Sequence, residues 1–179
     1  GDYLVILFLV CLKLKQIKEK NMELKLKNIK VLLSASDETY CYEAVVYKDS
    51  KKIGLVTNQG SGGCDNQHID SETLNEINEW CKKNLPSWTS YDGEQVPTDF
   101  EMFCANEGEL HLNKKELKKI LKKVAIYDQA KNSIYTYPSY KPSSLWGDKE
   151  WGRFKKNKDQ IIMNKISESE ALEYLNKAN

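Results

Sequence analysis

Between Thr57 and His68 the chain reads Thr-Asn-Gln-Gly-Ser-Gly-Gly-Cys-Asp-Asn-Gln-His, and the hydrophobic period differs on its two sides. Before it, apolar residues recur at every second position, as in strands; after it, they recur at helical spacing. Gly60, Gly62 and Gly63 within four positions favour neither state and predict a wide turn needing positive φ at several residues. The strand before the turn belongs to a hairpin, and the order along the chain is strands, helix, loop, helix, strands, helix, which is not an alternation of βαβ units. Such an order gives segregated strands and helices, an α+β fold.

The elements on either side fill in that outline. Glu23 to Ser34 alternates Leu24 and Leu26 with Lys25 and Lys27 and then turns apolar, which predicts a half-buried strand. Residues 40–47 and 53–57 are β-branched and aromatic, and Lys48-Asp49-Ser50-Lys51-Lys52 between them predicts a hairpin. Asp70 or Ser71 then caps a helix with Leu74, Ile77, Cys81 and Leu85 on its buried stripe, Trp80 at the edge and Pro86 beyond its end. From Pro86 to Glu109 the pattern is irregular, with breakers at Asp92-Gly93 and Pro97, and reads mostly as loop with room for a short helix. A second helix is expected to start at Asn113, with Glu116 in the capping position and Leu117, Ile120, Leu121 and Val124 inward. Residues 124–128, 133–137 and 160–166 read as short strands. A third helix starts at Ser167, with Glu170 completing a capping box and Ala171, Leu172 and Leu175 buried. The expected fold is therefore an antiparallel sheet, an N-terminal hairpin or meander plus short C-terminal strands, with three main helices.

Residues 1–21 stand apart from this scheme. Tyr3 to Leu14 is apolar but shorter than the roughly 20 residues of a membrane-spanning helix. Asp2 before the run and Lys13, Lys15, Lys18 and Lys20 after it reverse the polarity of a secretory signal. Lys18-Glu19 can be encoded by the purine-rich AAG-GAG that binds bacterial ribosomes, two codons ahead of Met22. The reading is translated upstream sequence or a short apolar segment, followed by a single α+β domain over 22–179. Cys41, Cys64, Cys81 and Cys104 have no regular spacing and no export signal accompanies them, so a reducing cytoplasm is expected.

The glycine turn is the first candidate site. Free backbone N–H groups ahead of a helix N-terminus suit an anion, with Asn58, Gly60, Ser61, Gly62, Gly63 and His68 as ligand-binding candidates. Neither familiar nucleotide motif is complete: Gly63 is followed by Cys64 rather than Lys-Ser/Thr, and the third glycine of the dinucleotide fingerprint is missing. Cys64-x-x-x-His68 also fits a cysteine nucleophile with a histidine base, the enzyme alternative, in which the reaction is hydrolytic. Zinc is disfavoured because Cys41, Cys81, Cys104 and His111 are scattered singly rather than paired. No cofactor motif is complete.

Charge supplies the second candidate. Residues 34–112 carry 5 Lys against 15 Asp and Glu, whereas residues 113–158 carry 12 Lys and Arg153 against 4 acids. In the basic part Lys141, Trp146, Lys149, Trp151, Arg153, Lys155 and Lys156 mix cations with aromatics, a composition suited to phosphate contacts and base stacking. The blander reading is core aromatics with solvated lysines. The acidic part would equally let the chain inhibit a host protein by imitating nucleic acid.

One stretch resembles known sequences. Glu38-Thr39-x-Cys41-Tyr42, then Ala44-x-Val46-Tyr47-x-Asp49-x-Lys51-Lys52-x-Gly54-x-Val56-x-Asn58-x-Gly60-x-Gly62-Gly63, closed by His68, is similar to a group of small uncharacterised phage and prophage proteins. The similarity covers residues 22–84 and fades after Pro86. It implies a phage or prophage accessory protein in the host cytoplasm, with no activity or catalytic residue to carry over. Asp49-Ser50 stands where Asp-Gly is more usual, and Cys64 replaces a non-cysteine residue.

Overall fold

The computed structural model describes residues 22–179 apart from Trp146; the apolar run of residues 3–14 lies outside the described residues. The fold is α+β. The chain is organised as two compact units, Gly1–Gly108 and Glu109–Asn179, which adds an internal division to the single domain expected over 22–179. Among the described residues no helix is long and apolar enough to cross a membrane.

In the first unit β1 (Leu24–Val31), β2 (Cys41–Lys48), β3 (Lys51–Gln59) and β4 (Asn66–His68) form an antiparallel sheet in that order. Period two decides its inner face: Leu24 and Leu26, then Tyr42, Ala44 and Val46, then Val56 and Asn58 are buried. Register brings them together, with Leu26 opposite Val46, Ala44 opposite Val56 and Tyr42 opposite Asn58. Ile77 and Cys81 of α1 (Ser71–Asn84) pack in this core, together with Phe100 and Cys104. As expected, Asp70 caps α1, accepting from Thr73 N–H at 2.9 Å. The β2–β3 hairpin closes through Asp49 and Ser50 alone, at φ 49° and 65°, the doubly left-handed geometry of a type I′ turn. β1 is kinked by a register shift between Lys27 and Lys30, where Asn28 has φ 54°.

Two differences from the expected elements bear on the site. Strand β4 follows the glycine turn, so that turn joins two strands instead of leading into α1. After a small pair, β5 (Trp88–Thr89) and β6 (Gln95–Val96), the next helix, α2, runs Phe100–Ile120 instead of starting at Asn113. Asp99 caps it, its carboxylate accepting from Met102 N–H at 2.8 Å. The Asn113 side chain donates instead to Asn176 at 3.0 Å.

In the second unit β7 (Val124–Asp128) lies between β8 (Ser133–Tyr137) and β9 (Gln160–Ile162), all antiparallel. All five residues of β7 are buried, the pattern of a strand covered on both faces. Ala125 and Tyr127 join Leu117, Met163, Ala171 and Leu175, whereas Val124 and Ile126 join Trp151 and Phe154. Val124 is thus a strand residue and does not belong to the α2 stripe. Trp151 comes from the short α3 (Asp148–Gly152), and Ala171 and Leu175 from α4 (Glu168–Ala178), whose Ser167–Glu170 capping box is formed as expected. The strand expected over 160–166 stops at Ile162 and continues as a 3₁₀ turn over 163–165.

Candidate functional site

The inward parity of β3 places Asn58, a polar residue, at the end of an apolar row, and its amide organises the glycine turn. Its Oδ1 accepts from Thr39 Oγ1–H at 2.9 Å and Gly60 N–H at 2.8 Å, and its Nδ2 donates to Gly63 O at 2.9 Å and Asp65 Oδ1 at 3.0 Å. Both protons and both carbonyl lone pairs are used, which is what burial of an amide requires. Gly60 O in turn accepts from the N–H groups of Asp37, Glu38 and Thr39. Gly60 and Gly62 have φ 87° and 83°, while Gly63 has no positive φ and open space beside it.

This wiring changes what the turn can do. Gly62 N–H donates to Thr39 Oγ1 and Asp65 N–H to Glu101 Oε1, so amide donors that an anion would use are engaged within the protein. Carboxylates of Glu38, Asp65 and Glu101 stand beside them. The helix N-terminus invoked for an anion lies beyond β4 and carries its own carboxylate cap. Ser61 and His68 are exposed, the latter on β4 opposite Leu55, and neither side chain makes a hydrogen bond among the described residues.

Beneath the turn is a cavity of about 100 Å³ whose lining includes Thr39, Tyr42, Asn58, Asp65, Glu101 and Cys104. The Tyr42 hydroxyl donates to Asp65 Oδ2. Burial pushes the Tyr42 phenol well above its ordinary range, with Cys104 and Asp65 adding to the shift. Burial, then Asp65, likewise pushes the Cys104 thiol up; burial and Asp99 push Cys81 up to about 12. These groups stay neutral at physiological pH, so neither thiol is poised as a nucleophile. Cys64 is exposed, and no hydrogen bond joins it to His68 among the described residues. The intervening chain enters a strand rising about 3.3 Å per residue, a conformation that separates the proposed nucleophile and base. Among the described residues no cluster of His, Cys, Asp or Glu could hold a metal ion.

In the second unit the basic residues named from the sequence divide from the aromatics. Lys141, Lys149, Arg153, Lys155 and Lys156 are exposed. Trp151 and Phe154 are buried at 7% and 6% exposure against Val124 and Ile126, so their rings are spent on packing, and Trp146 lies outside the described residues. Tyr135 and Tyr140 remain open, at 42% and 48%.

The cavity residues Tyr42, Asp65, Glu101 and Cys104 form no sequence motif because they converge from separate elements. The available signal was the inward parity that Tyr42 shares with Ala44 and Val46. Comparison of the chain with family models, curated proteins and solved structures finds no match.

Proposed function

We propose that this chain is a phage- or prophage-type accessory protein of the bacterial cytosol that binds nucleic acid through the basic surface of its second unit and has no catalytic role. The observation that carries the reading is uncompensated positive charge. Residues 109–179 hold 15 Lys and Arg against 9 Asp and Glu, and among the described residues only Lys119 and Lys165 of these cations form salt bridges. Lys114, Lys115 and Lys118 are exposed on α2, with Lys122 and Lys123 in the turn after it. Cations spread over several elements suit a polyanion better than a compact anion, whose expected cradle at the glycine turn is occupied by the protein's own contacts. The exposed rings of Tyr135 and Tyr140 add surfaces on which bases stack. With Arg153 the only arginine, bidentate base reading has little support, and backbone contacts dominate.

Fluorescence anisotropy of labelled single- and double-stranded oligonucleotides, titrated between 50 and 200 mM salt, tests this. The affinity should fall steeply with salt, and Lys118→Glu with Lys122→Glu should weaken it by roughly tenfold or more while reducing the salt slope by about one per lost contact. Binding that is absent at the lowest salt, or indifferent to these substitutions, overturns the reading.

A further inference from the structure

The first unit carries a second concavity beside the one under the glycine turn. It measures about 270 Å³ and its walls include Trp88, Val96, Pro97 and Met102, with Asp99 and Glu101 contributing carboxylates. Glu101 and Ala105 line both spaces. From the Tyr42 side to the Trp88 side, Asp65, Glu101 and Asp99 therefore follow one another along apolar walls, and among the described residues no Lys, Arg or His lines either cavity.

Each carboxylate is held in place by neutral donors. Asp65 receives the Tyr42 hydroxyl and the Asn58 amide, Glu101 Oε1 receives Asp65 N–H, and Asp99 Oδ1 receives Met102 N–H. None of the three is in a salt bridge among the described residues, and Glu101 Oε2 has no hydrogen-bond partner there. Carboxylates fixed this way remain acceptors for a cation, and the scaffold needs no rearrangement to receive one.

We propose that these two cavities form a binding site for an aliphatic ammonium ligand with at least two charged nitrogens separated by methylenes. Size selects this chemistry. The inner space of about 100 Å³ holds roughly three water volumes, less than an engineered cavity that accepts benzene, so it takes a chain end and not a ring. The outer space has both Trp88 and Asp99 among its lining residues, and an indole ring attracts ammonium groups to its face. Methylenes between the charges would lie along Ala105 and Met102. A hydrated divalent metal fits poorly, because the walls are apolar and the carboxylates are not gathered about one point. Two sources share the required chemistry, a free linear polyamine and neighbouring lysine side chains of a peptide.

Isothermal titration and thermal unfolding of the full chain separate them. The probes are spermidine, 1,4-diaminobutane and a lysyl-lysine amide, with 1,4-butanediol, magnesium chloride and sodium chloride at matched ionic strength as controls. At about 100 times the dissociation constant an ammonium ligand should raise Tm by roughly 5 °C, while the controls leave it unchanged. Glu101→Gln, which keeps an acceptor for Asp65 N–H, should weaken binding about tenfold with the ligand-free Tm preserved. Stronger binding of spermidine assigns a free polyamine, and stronger binding of the dipeptide assigns a peptide. Equal stabilisation by magnesium, no binding of any amine, or full binding by a folded Glu101→Gln variant overturns the proposal.

Discussion

The two units place their polar groups in opposite ways. Residues 22–108 carry 15 Asp and Glu against 8 Lys, and they turn several polar side chains inward around Asn58, Asp65 and Tyr42 beside a cavity. Residues 109–179 reverse the charge balance, and their buried polar pair, Asp128 with Gln160, ties strand ends together. The first unit therefore concentrates specificity in a small hydrogen-bonded interior, whereas the second disperses charge over its exterior. A fixed polar interior suits a small ligand, and dispersed charge suits an extended one.

The contrast breaks first at Gly60. A Cβ there would overlap the Ala35 carbonyl and lie 2.9 Å from Cys41 Cβ, at a φ of 87° that side chains rarely adopt. Gly60→Ala should cost roughly 3 kcal/mol or more in urea denaturation, whereas Gly63→Ala, with open space and no positive φ, should stay within about 0.5 kcal/mol. Equal effects would mean that the turn is not held by the Asn58 network.

The second unit offers a milder test through pH. Gln160 donates to Asp128 at 2.9 Å and, as the largest cause, holds that carboxyl below the ordinary carboxylate range, helped by Lys131 N–H. Ionised Asp128 thus favours the folded state above a pH of about 4, and the contribution fades as pH falls through the lower folded value. Gln160→Ala should lower Tm by about 4 °C at neutral pH and move acid unfolding upward toward pH 4, read by circular dichroism. An unchanged acid limb would remove Asp128 from the account.

The smallest expected effect is a gain. Ser50 occupies φ 65° in the β2–β3 turn, where glycine carries no Cβ penalty. Ser50→Gly should stabilise the protein by about 0.5 kcal/mol in the same denaturation experiment, the left-handed strain outweighing the added freedom of the unfolded chain. A loss would show that the weak Ser50–Glu23 contact at 3.5 Å matters more than the backbone.

What could be read in advance was local. The Asp70 cap and the Ser167–Glu170 box depend on residues three apart and formed as the spacing predicts. The short strand over Val124–Asp128 was legible too, but the burial of both its faces comes from elements distant in sequence. The start of α2 was hidden because Gly108 and the polar run around it interrupt the helical stripe, while Phe100 and Cys104 gain their burial from distant strands. Pro97 ahead of Asp99, with Phe100 and Cys104 four apart, was the overlooked start signal. Asn58 was noticed as a ligand candidate, yet only the folded chain shows its amide fully committed to the turn. Glu101 carried no motif, since its partner Asp65 lies 36 positions away.

The kink in β1 has a consequence for how this molecule behaves in company. Strand order leaves β1 at an edge of its sheet, where straight unpaired backbone would template association with other chains. Asn28 bends that edge, and Lys25, Lys27 and Lys30 stand along it, the last paired with Glu43 and Lys27 lying 4.3 Å from the Tyr47 ring centre. A strand so bent and charged makes a poor seed for aggregation. Straightening it would trade a local irregularity for stickiness, so the distortion works as a guard on solubility.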